Sequence, residues 1–407
     1  FGTGWKLTTS ISYSTNKDDI ENELQDGDNQ KLVITNPVFY GFKNFKLKNN
    51  AHYAQARVVL DKKMNGLNVV RFGSDYFYSK EKSTYTLFDG TQFIEVVSDN
   101  IAAIFAEADI FITNNLAAKI GSRVEHSQVV DKWNIAPRVS VAYKFKDDSQ
   151  ASFAYGLFYQ NPERKYLPTV ASLNYSRAAH YILQYQKLTN DRTFRVEAFY
   201  KKYTDLYKTS TSATGREVVT NNNGFGNASG IEFFFRDKKT FKNVDYWVSY
   251  SYLDTKRDFL NYPKAIAPSF AANHTASIVA KKFVTKWKTG FNLSYSFATG
   301  RPYYYFRYDN VQNKYVIGDA GKTINYNSMS FSVNYLPALG KTNQKAFVVW
   351  VLGVNNVLGQ NQVFNYNYNN DGSRKEAVTP PSKRFIFLGC FLSFGIDRTQ
   401  DAINNNL

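Results

Sequence analysis

The chain has 407 residues, a net charge of +16 from 50 basic and 34 acidic side chains, and a mean hydropathy of −0.43. No apolar run approaches the roughly 18–20 residues of a transmembrane helix, so a helical membrane protein is excluded. The single cysteine, Cys390, excludes an internal disulfide framework. Lys and Arg are spread along the chain without a nucleic-acid motif, so the sequence predicts no nucleic-acid partner.

The first segment alternates apolar and polar side chains from Trp5 to Tyr13, which predicts a β-strand. A long loop is expected to follow, through about Phe45. Its early part is acidic, but the spacing is not that of an EF-hand loop, so a solvated loop is preferred over a calcium site. Further strands are expected up to Leu60 and over Leu67–Ser79. The Asp89-Gly90 pair predicts a turn before the next strand.

Four central segments carry the clearest alternation. They are Ile101–Thr113, Leu116–Glu125, Trp133–Phe145 and Ala151–Tyr159. A period of two predicts strands with one apolar and one polar face. These segments exceed the five or six residues that are typical of globular strands.

The same parity continues to the end of the chain and predicts about sixteen strands. Short turns are expected after even-numbered strands and long loops after odd-numbered ones, the pattern of an outer-membrane β-barrel. We therefore predict an all-β fold, a transmembrane antiparallel up-and-down barrel over residues 1–396, with a polar periplasmic tail over 397–407. The alternative, a large soluble sandwich or propeller, is disfavoured by the strand length.

Four short motifs resemble those of TonB-dependent outer-membrane receptors. Residues Gly121–Glu125 (GSRVE) are similar to the family's GxRxE, and Asn134–Arg138 (NIAPR) to its N-x-x-P-R. Residues Gly226–Glu232 (GNASGIE) and Asn355–Leu358 (NNVL) resemble two further motifs of that barrel. The chain differs from the family's pattern in continuing beyond Phe394, where members usually end on an aromatic residue.

The resemblance implies a 22-stranded barrel around an N-terminal plug, with the plug, the TonB box and the first strands upstream of Phe1. It implies a Gram-negative outer-membrane receptor, not an enzyme and without cofactor, that imports a metal chelate, glycan or peptide in an energy-coupled way. TonB would act through the absent N-terminal region. A surface lipoprotein is a further expected partner, and the basic charge suggests lipopolysaccharide. The alternatives are a passive 16-stranded porin and an adhesin or secretion barrel.

Charged residues on the polar parity are expected to face the lumen. The turn at Asn114–Asn115 pairs either Glu107 with Arg123 or Asp109 with Lys119, and either register brings opposite charges together. We expect such residues to brace the wall or hold the plug rather than contact substrate. The predicted set is Glu107, Asp109, Lys119, Arg123, Glu125, Arg138 and Glu232.

One loop, Ala298–Val316, combines aromatic and basic residues suited to a ligand. Aromatic rings stack on planar or sugar ligands, and arginines bind carboxylates or chelated anions. The predicted contacts are Arg301, Tyr303, Tyr304, Tyr305 and Arg307. The alternative is an aromatic belt at the membrane interface. The Phe364–Tyr368 segment is a second, weaker candidate.

The chain carries no motif for metal binding or catalysis. Its four histidines, His52, His126, His180 and His274, are not spaced as a zinc site. The hydrolase, zinc-protease and P-loop motifs are absent from the sequence. The sequence therefore predicts neither a metal site nor an enzyme.

Overall fold

The computed structural model describes residues 2–32, 43–169, 173–211, 217–309, 311–312, 314–341, 346–369 and 372–394. Sixteen of its strands form one sheet in the order β1 to β13, β16, β17 and β20, so consecutive strands of the wall are neighbours. The remaining four form two separate hairpins, β14–β15 and β18–β19. In the described part of the chain, no helix is long and apolar enough to cross a membrane.

The strand bounds follow the predicted alternation. The first ten are β1 Trp5–Asn22, β2 Phe45–Lys63, β3 Val69–Leu87, β4 Gln92–Phe111, β5 Leu116–Ser127, β6 Lys132–Lys144, β7 Ser149–Gln160, β8 Ser176–Leu188, β9 Arg192–Thr211 and β10 Glu217–Asp237. The others are β11 Val244–Asp258, β12 His274–Val284, β13 Thr289–Ala298, β14 Pro302–Asp309, β15 Lys314–Lys322, β16 Tyr326–Tyr335, β17 Ala346–Asn355, β18 Asn365–Tyr368, β19 Lys375–Val378 and β20 Phe385–Phe394.

The two faces of the sheet differ as the parity predicts. On the apolar face, Ile104 is 63% exposed and Val141 is 39% exposed, so these large side chains do not lie in a protein core. The polar face carries the charged and hydroxyl side chains of the same strands. An apolar face that is left uncovered by protein is the arrangement of a lipid-contacting wall. The predicted fold class is therefore confirmed.

The first strands are longer than predicted. Strand β1 continues to Asn22, so Asp19 and Glu21 belong to a strand and lie opposite Lys48 and Lys46 of β2 rather than in a loop. Strands β3 and β4 likewise extend until they meet at a four-residue turn. At that turn Gly90 has φ +83° and the Thr91 N–H donates to the Asp89 carboxylate over 2.9 Å, which confirms the predicted turn.

The two segments that were predicted as ligand-binding loops contain regular structure. Most of Ala298–Val316 belongs to the β14–β15 hairpin, in which Tyr308 pairs with Tyr315. The Phe364–Tyr368 segment supplies β18, which pairs with β19. The prediction of irregular loops was therefore wrong at both places.

The chain divides into two compact units. The first is Phe1–Val141, Tyr155–Ala179 and Tyr203–Gly224, and the second is Ala142–Ala154, His180–Lys202 and Phe225–Leu407. The second unit contains a small buried apolar cluster of Phe283, Leu336, Ala338, Leu339 and Phe347. The predicted tail 397–407 lies outside the described residues.

Candidate ligand-binding site

A chain of ion pairs crosses the polar face of β2 to β5 in the first unit. The β4–β5 register places Asp109 opposite Lys119, one of the two predicted alternatives. The Lys119 Nζ lies 3.1 Å from both Asp109 and Glu107. The Arg71 guanidinium bonds Glu107 over 2.9 Å and Asp61 over 2.7 Å. These charges therefore neutralise one another across four strands.

A second group of charges lies further along the same face. The Arg123 guanidinium forms ion pairs with Asp75 and, over 2.9 Å, with Glu125. The Arg57 Nε lies 3.6 Å from Asp75, and its guanidinium lies 5.3 Å from the centroid of the Phe105 ring. A cavity of about 290 Å³ lies between the two groups of charges. Since each carboxylate here has a cation, the geometry favours a bracing role.

Two of the predicted polar-face residues lie apart from these networks. Arg138 is exposed, lines the 290 Å³ cavity, and places its guanidinium 5.8 Å from the centroid of the Phe158 ring. Glu232 lies on β10 in the second unit and lines a different cavity. The predicted set is thus divided between two places in the fold.

The aromatic residues of β14 pack on the β18–β19 hairpin through one face. The Tyr303 and Tyr366 ring centroids are 4.6 Å apart, and those of Tyr305 and Tyr368 are 4.9 Å apart. Lys375 of β19 lies over the Tyr303 ring at 4.8 Å and donates to the Tyr303 hydroxyl over 2.8 Å. These rings therefore join the two hairpins.

A carboxylate fixes the same contact from β15. Asp319 accepts hydrogen bonds from the Tyr368 hydroxyl over 2.7 Å and from the Lys375 ammonium over 3.0 Å. These two donors hold the pKa of Asp319 below its ordinary value. Hydrogen bonds to Tyr303 and Asp319 in turn raise the pKa of Lys375. At neutral pH, Asp319 and Lys375 are therefore both charged.

The other face of β14 packs on the loop between β11 and β12. The Tyr304 and Phe306 rings are stacked with centroids 5.5 Å apart, and Tyr262 lies 5.2 Å from Phe306. The Tyr304 hydroxyl donates to the Ala267 carbonyl over 3.0 Å. The predicted aromatic contacts thus pack against other parts of the protein, whereas Arg301 and Arg307 are exposed.

A cavity of about 630 Å³ lies where the bases of both hairpins meet the wall of the second unit. Its apolar edge is Ile324, Val363 and Phe364, next to the charged Arg195, Glu232 and Arg301. Five serine and threonine residues line it from the wall strands β11 to β13, namely Ser249, Ser251, Thr275, Ser277 and Ser296.

The charges of this cavity differ in their pairing from those of the first unit. Among the described residues, Arg195, Glu232 and Arg301 form no salt bridge, although Arg195 lies over the Phe234 ring at 5.9 Å. Ser249 and Ser277 hydrogen-bond each other over 2.7 Å. Charged groups without a protein partner are available to a ligand, because a ligand can supply the missing partner.

The sequence identified only part of this cavity. Arg301, Glu232 and Phe364 were singled out for separate reasons, whereas Arg195 and the five hydroxyl residues were not. Serine and threonine on the polar face of a strand carry no functional signal by themselves, and the cavity combines them with Arg195 of β9 and with residues that flank the two hairpins. In the described part of the chain, no cluster of His, Cys, Asp and Glu could hold a metal ion. The cavity is thus suited to a polar, hydroxylated or acidic organic ligand.

Comparison with known families adds to this geometry. Residues 1–357 match the family model described as "TonB dependent receptor-like, beta-barrel". The chain belongs to the TonB-dependent receptor family. Its members are outer-membrane proteins of Gram-negative bacteria that transport and are not enzymes, which confirms the predicted location and class. The family match does not favour a passive porin.

Solved structures of this family share the fold at low sequence identity. The Escherichia coli outer-membrane transporter YddB has a TM-score of 0.71 at 14% identity, over 96% of this chain and 61% of that one. FpvA of P. aeruginosa has a TM-score of 0.70 at 11% identity, over 97% of this chain and 54% of FpvA. The Yersinia pestis ferric yersiniabactin uptake receptor FyuA has a TM-score of 0.65 at 12% identity, over 97% of this chain and 60% of FyuA. Among curated proteins, none matches the chain.

Proposed function

We propose that this TonB-dependent receptor barrel belongs to an energy-coupled importer of an anionic metal chelate. The chain spans 61% of YddB and 60% of FyuA, so the activity of the whole protein is inferred rather than contained in this sequence. TonB would act through a plug and a TonB box outside these residues. Residues 1–396 would supply the wall, and 397–407 a periplasmic tail.

The observation that carries the proposal is the 630 Å³ cavity with its unpaired charges. Its volume lies within the range of about 300–1,000 Å³ that is usual for small-ligand sites. Arg195 and Arg301 would bind carboxylate or catecholate oxygens of the chelate, and Glu232 and the wall hydroxyls would bind its donor groups. FyuA is a ferric yersiniabactin uptake receptor and FpvA binds iron-loaded pyoverdines, which supports this ligand class over glycan or peptide.

Replacing Arg301 tests the cavity. We expect Arg301→Gln to weaken binding of ferric chelates by about tenfold or more, because a hydrogen bond to a charged group contributes about 1.5–3 kcal/mol. The full-length protein would be titrated with a panel of ferric chelates, including ferric citrate, while the tryptophan fluorescence is followed. Glu232→Gln should change selectivity within the panel.

Arg307→Gln is the matched control. Arg307 is exposed on the same hairpin and does not line the cavity. If both arginine variants bind every chelate equally, Arg301 does not contact the ligand. If the unchanged protein binds none of the panel but binds oligosaccharides or peptides, the ligand class is wrong.

Two further proposed partners are lipopolysaccharide and a surface lipoprotein. Contact with lipopolysaccharide is supported by the outer-membrane location and the net charge of +16. The surface lipoprotein stays a prediction from the resemblance. Tyr303, Tyr304 and Tyr305 would act mainly by holding the hairpins over the cavity, whereas Arg307 would neither hold the hairpins together nor contact the ligand.

A further inference from the structure

Along strands β1 to β4, the side chains of the apolar face change from large apolar residues to polar and basic ones. Towards the β2–β3 and β4–β5 turns, this face carries large apolar side chains, such as Leu7, Leu60, Phe72 and Ile104. Further along, one row of the sheet pairs Tyr13 with Ala54, Ala54 with Tyr78 and Tyr78 with Asn100. Aromatic rings with a polar end are enriched at the membrane–water interface. This row therefore marks the edge of the lipid belt.

Hydrogen bonds join members of this row to neighbouring polar side chains on the same face. The Tyr13 hydroxyl lies 2.8 Å from the His52 Nδ1, and the Tyr76 hydroxyl donates to the Asn100 Oδ1 over 3.2 Å. The long β1–β2 connection lies beyond this row together with the four-residue β3–β4 turn, whereas the β2–β3 and β4–β5 turns lie at the other end. The long connections of such barrels are extracellular, so the β1–β2 connection places the row at the outer leaflet.

Lysines dominate the same face immediately beyond the row. Lys17 pairs with Asn50, which pairs with Lys82, and Lys80 lies opposite His52 one step nearer the aromatic row. Lys17 and Lys82 are thus separated by two strand spacings, roughly 10 Å, and Lys80 lies about 7 Å further along β3. The exposed lysines of this outer patch are Lys17, Lys46, Lys48, Lys80 and Lys82.

Most of this positive charge is not neutralised by the protein. Lys46 forms an ion pair with Glu21 over 2.8 Å, and Lys48 lies 4.0 Å from Asp19. Among the described residues, Lys17, Lys80 and Lys82 form no salt bridge. The outer patch thus contains five lysines against two carboxylates, an excess of three positive charges directly above the lipid belt.

We propose that the outer patch binds the phosphate groups of lipopolysaccharide in the outer leaflet. Its acyl chains would lie on the apolar face below, while the flexible lysine stems reach its phosphates at the interface. Clustered lysines beside a membrane are attracted to anionic headgroups in the same way. This inference makes specific the proposed contact with lipopolysaccharide and does not depend on which nutrient is imported.

The test is retention of lipopolysaccharide by the full-length protein in detergent, measured by native mass spectrometry. The variant K17Q/K80Q/K82Q should retain lipopolysaccharide roughly tenfold to hundredfold more weakly, whereas K17R/K80R/K82R should retain it normally. The matched control K146Q/K264Q/K286Q removes the same charge from connections outside the outer patch, and should bind like the unchanged protein. A shared urea midpoint would show that all variants are folded.

Two probes decide the chemistry. Lipopolysaccharide whose lipid A has been dephosphorylated should bind weakly, and phosphatidylglycerol should not compete at equal concentration. Equal retention by the glutamine variant and the control overturns the site, and equal binding of dephosphorylated lipid overturns the phosphate contact. Competition by phosphatidylglycerol would overturn the choice of lipopolysaccharide. Ferric chelate binding by the same variants reports on the proposed function independently.

Discussion

At the scale of a single residue, Gly230 sets how closely β10 approaches β11. A Cβ added there would collide with the Tyr252 carbonyl oxygen and lie 2.6 Å from the Phe199 ring. Glycine at this position lets the neighbouring backbone and ring lie against the strand.

Gly230→Ala should therefore destabilise the wall. We expect the free energy of unfolding to fall by about 1–3 kcal/mol, the usual effect of adding atoms to a filled site. Urea unfolding in detergent micelles, followed by tryptophan fluorescence, measures the change. Gly353→Ala is the control, since its nearest contact would be the Ser332 Cβ at 3.8 Å. Equal midpoints for the two variants would contradict the argument.

At the scale of elements, the contact between the two hairpins depends on Asp319. Its pKa is lowered from 3.8 by hydrogen bonds from Tyr368 and Lys375. A carboxyl whose pKa is lowered in the folded state stabilises the contact above about pH 4. This stabilisation is lost as the pH falls through the pKa that the carboxyl has in the folded state. We therefore expect β18 and β19 to keep constant hydrogen-exchange protection factors from pH 5 to 8 and to lose protection below pH 3.8.

Asp319→Asn should lower those protection factors at every pH. Asp309→Asn is the matched control on the same hairpin, because the Asp309 carboxylate accepts from the Val311 and Gln312 N–H groups of its own turn. If the Asp309 variant loosens β18–β19 as much as the Asp319 variant does, then the ion pair does not join the hairpins.

Alternation predicted the elements only where one face contacts lipid and the other does not. Beyond Tyr13 both faces of β1 are polar, so the period of two disappears and Asp18, Asp19 and Glu21 look like a loop. In β14 both faces are aromatic, since Tyr303 packs on β18 while Tyr304 packs on the loop of Tyr262. The hairpins were missed for that reason. The ligand cavity was missed because its serine and threonine residues continue the ordinary polar alternation of β11 to β13 and carry no signal of their own.

At the scale of the whole molecule, the family match and the exposed apolar face support one arrangement: a wall surrounded by lipid. Which face of the sheet contacts lipid can be tested directly. Ile104→Lys on the apolar face should lower the free energy of unfolding from lipid vesicles by about 2–4 kcal/mol, because a charge that faces the bilayer is destabilising. Ser294 lies on the polar face of β13 and is partly exposed, so Ser294→Lys should have little effect. The urea dependence of folding measures both, and a larger loss for Ser294→Lys would reverse the assignment of the faces.

The length of β3 and β4 has a practical consequence. From Tyr78 to Thr86 the two strands stay paired for eight residues past the aromatic row, a reach of roughly 20–30 Å along the strands. A fluorophore or epitope tag inserted at Asp89-Gly90 would thus lie at the tip of a rigid, hydrogen-bonded β-hairpin on the extracellular side, beyond short sugar chains at the membrane surface. Such a label would report the orientation of the protein rather than the motion of a flexible linker, which suits single-molecule measurements on intact bacteria.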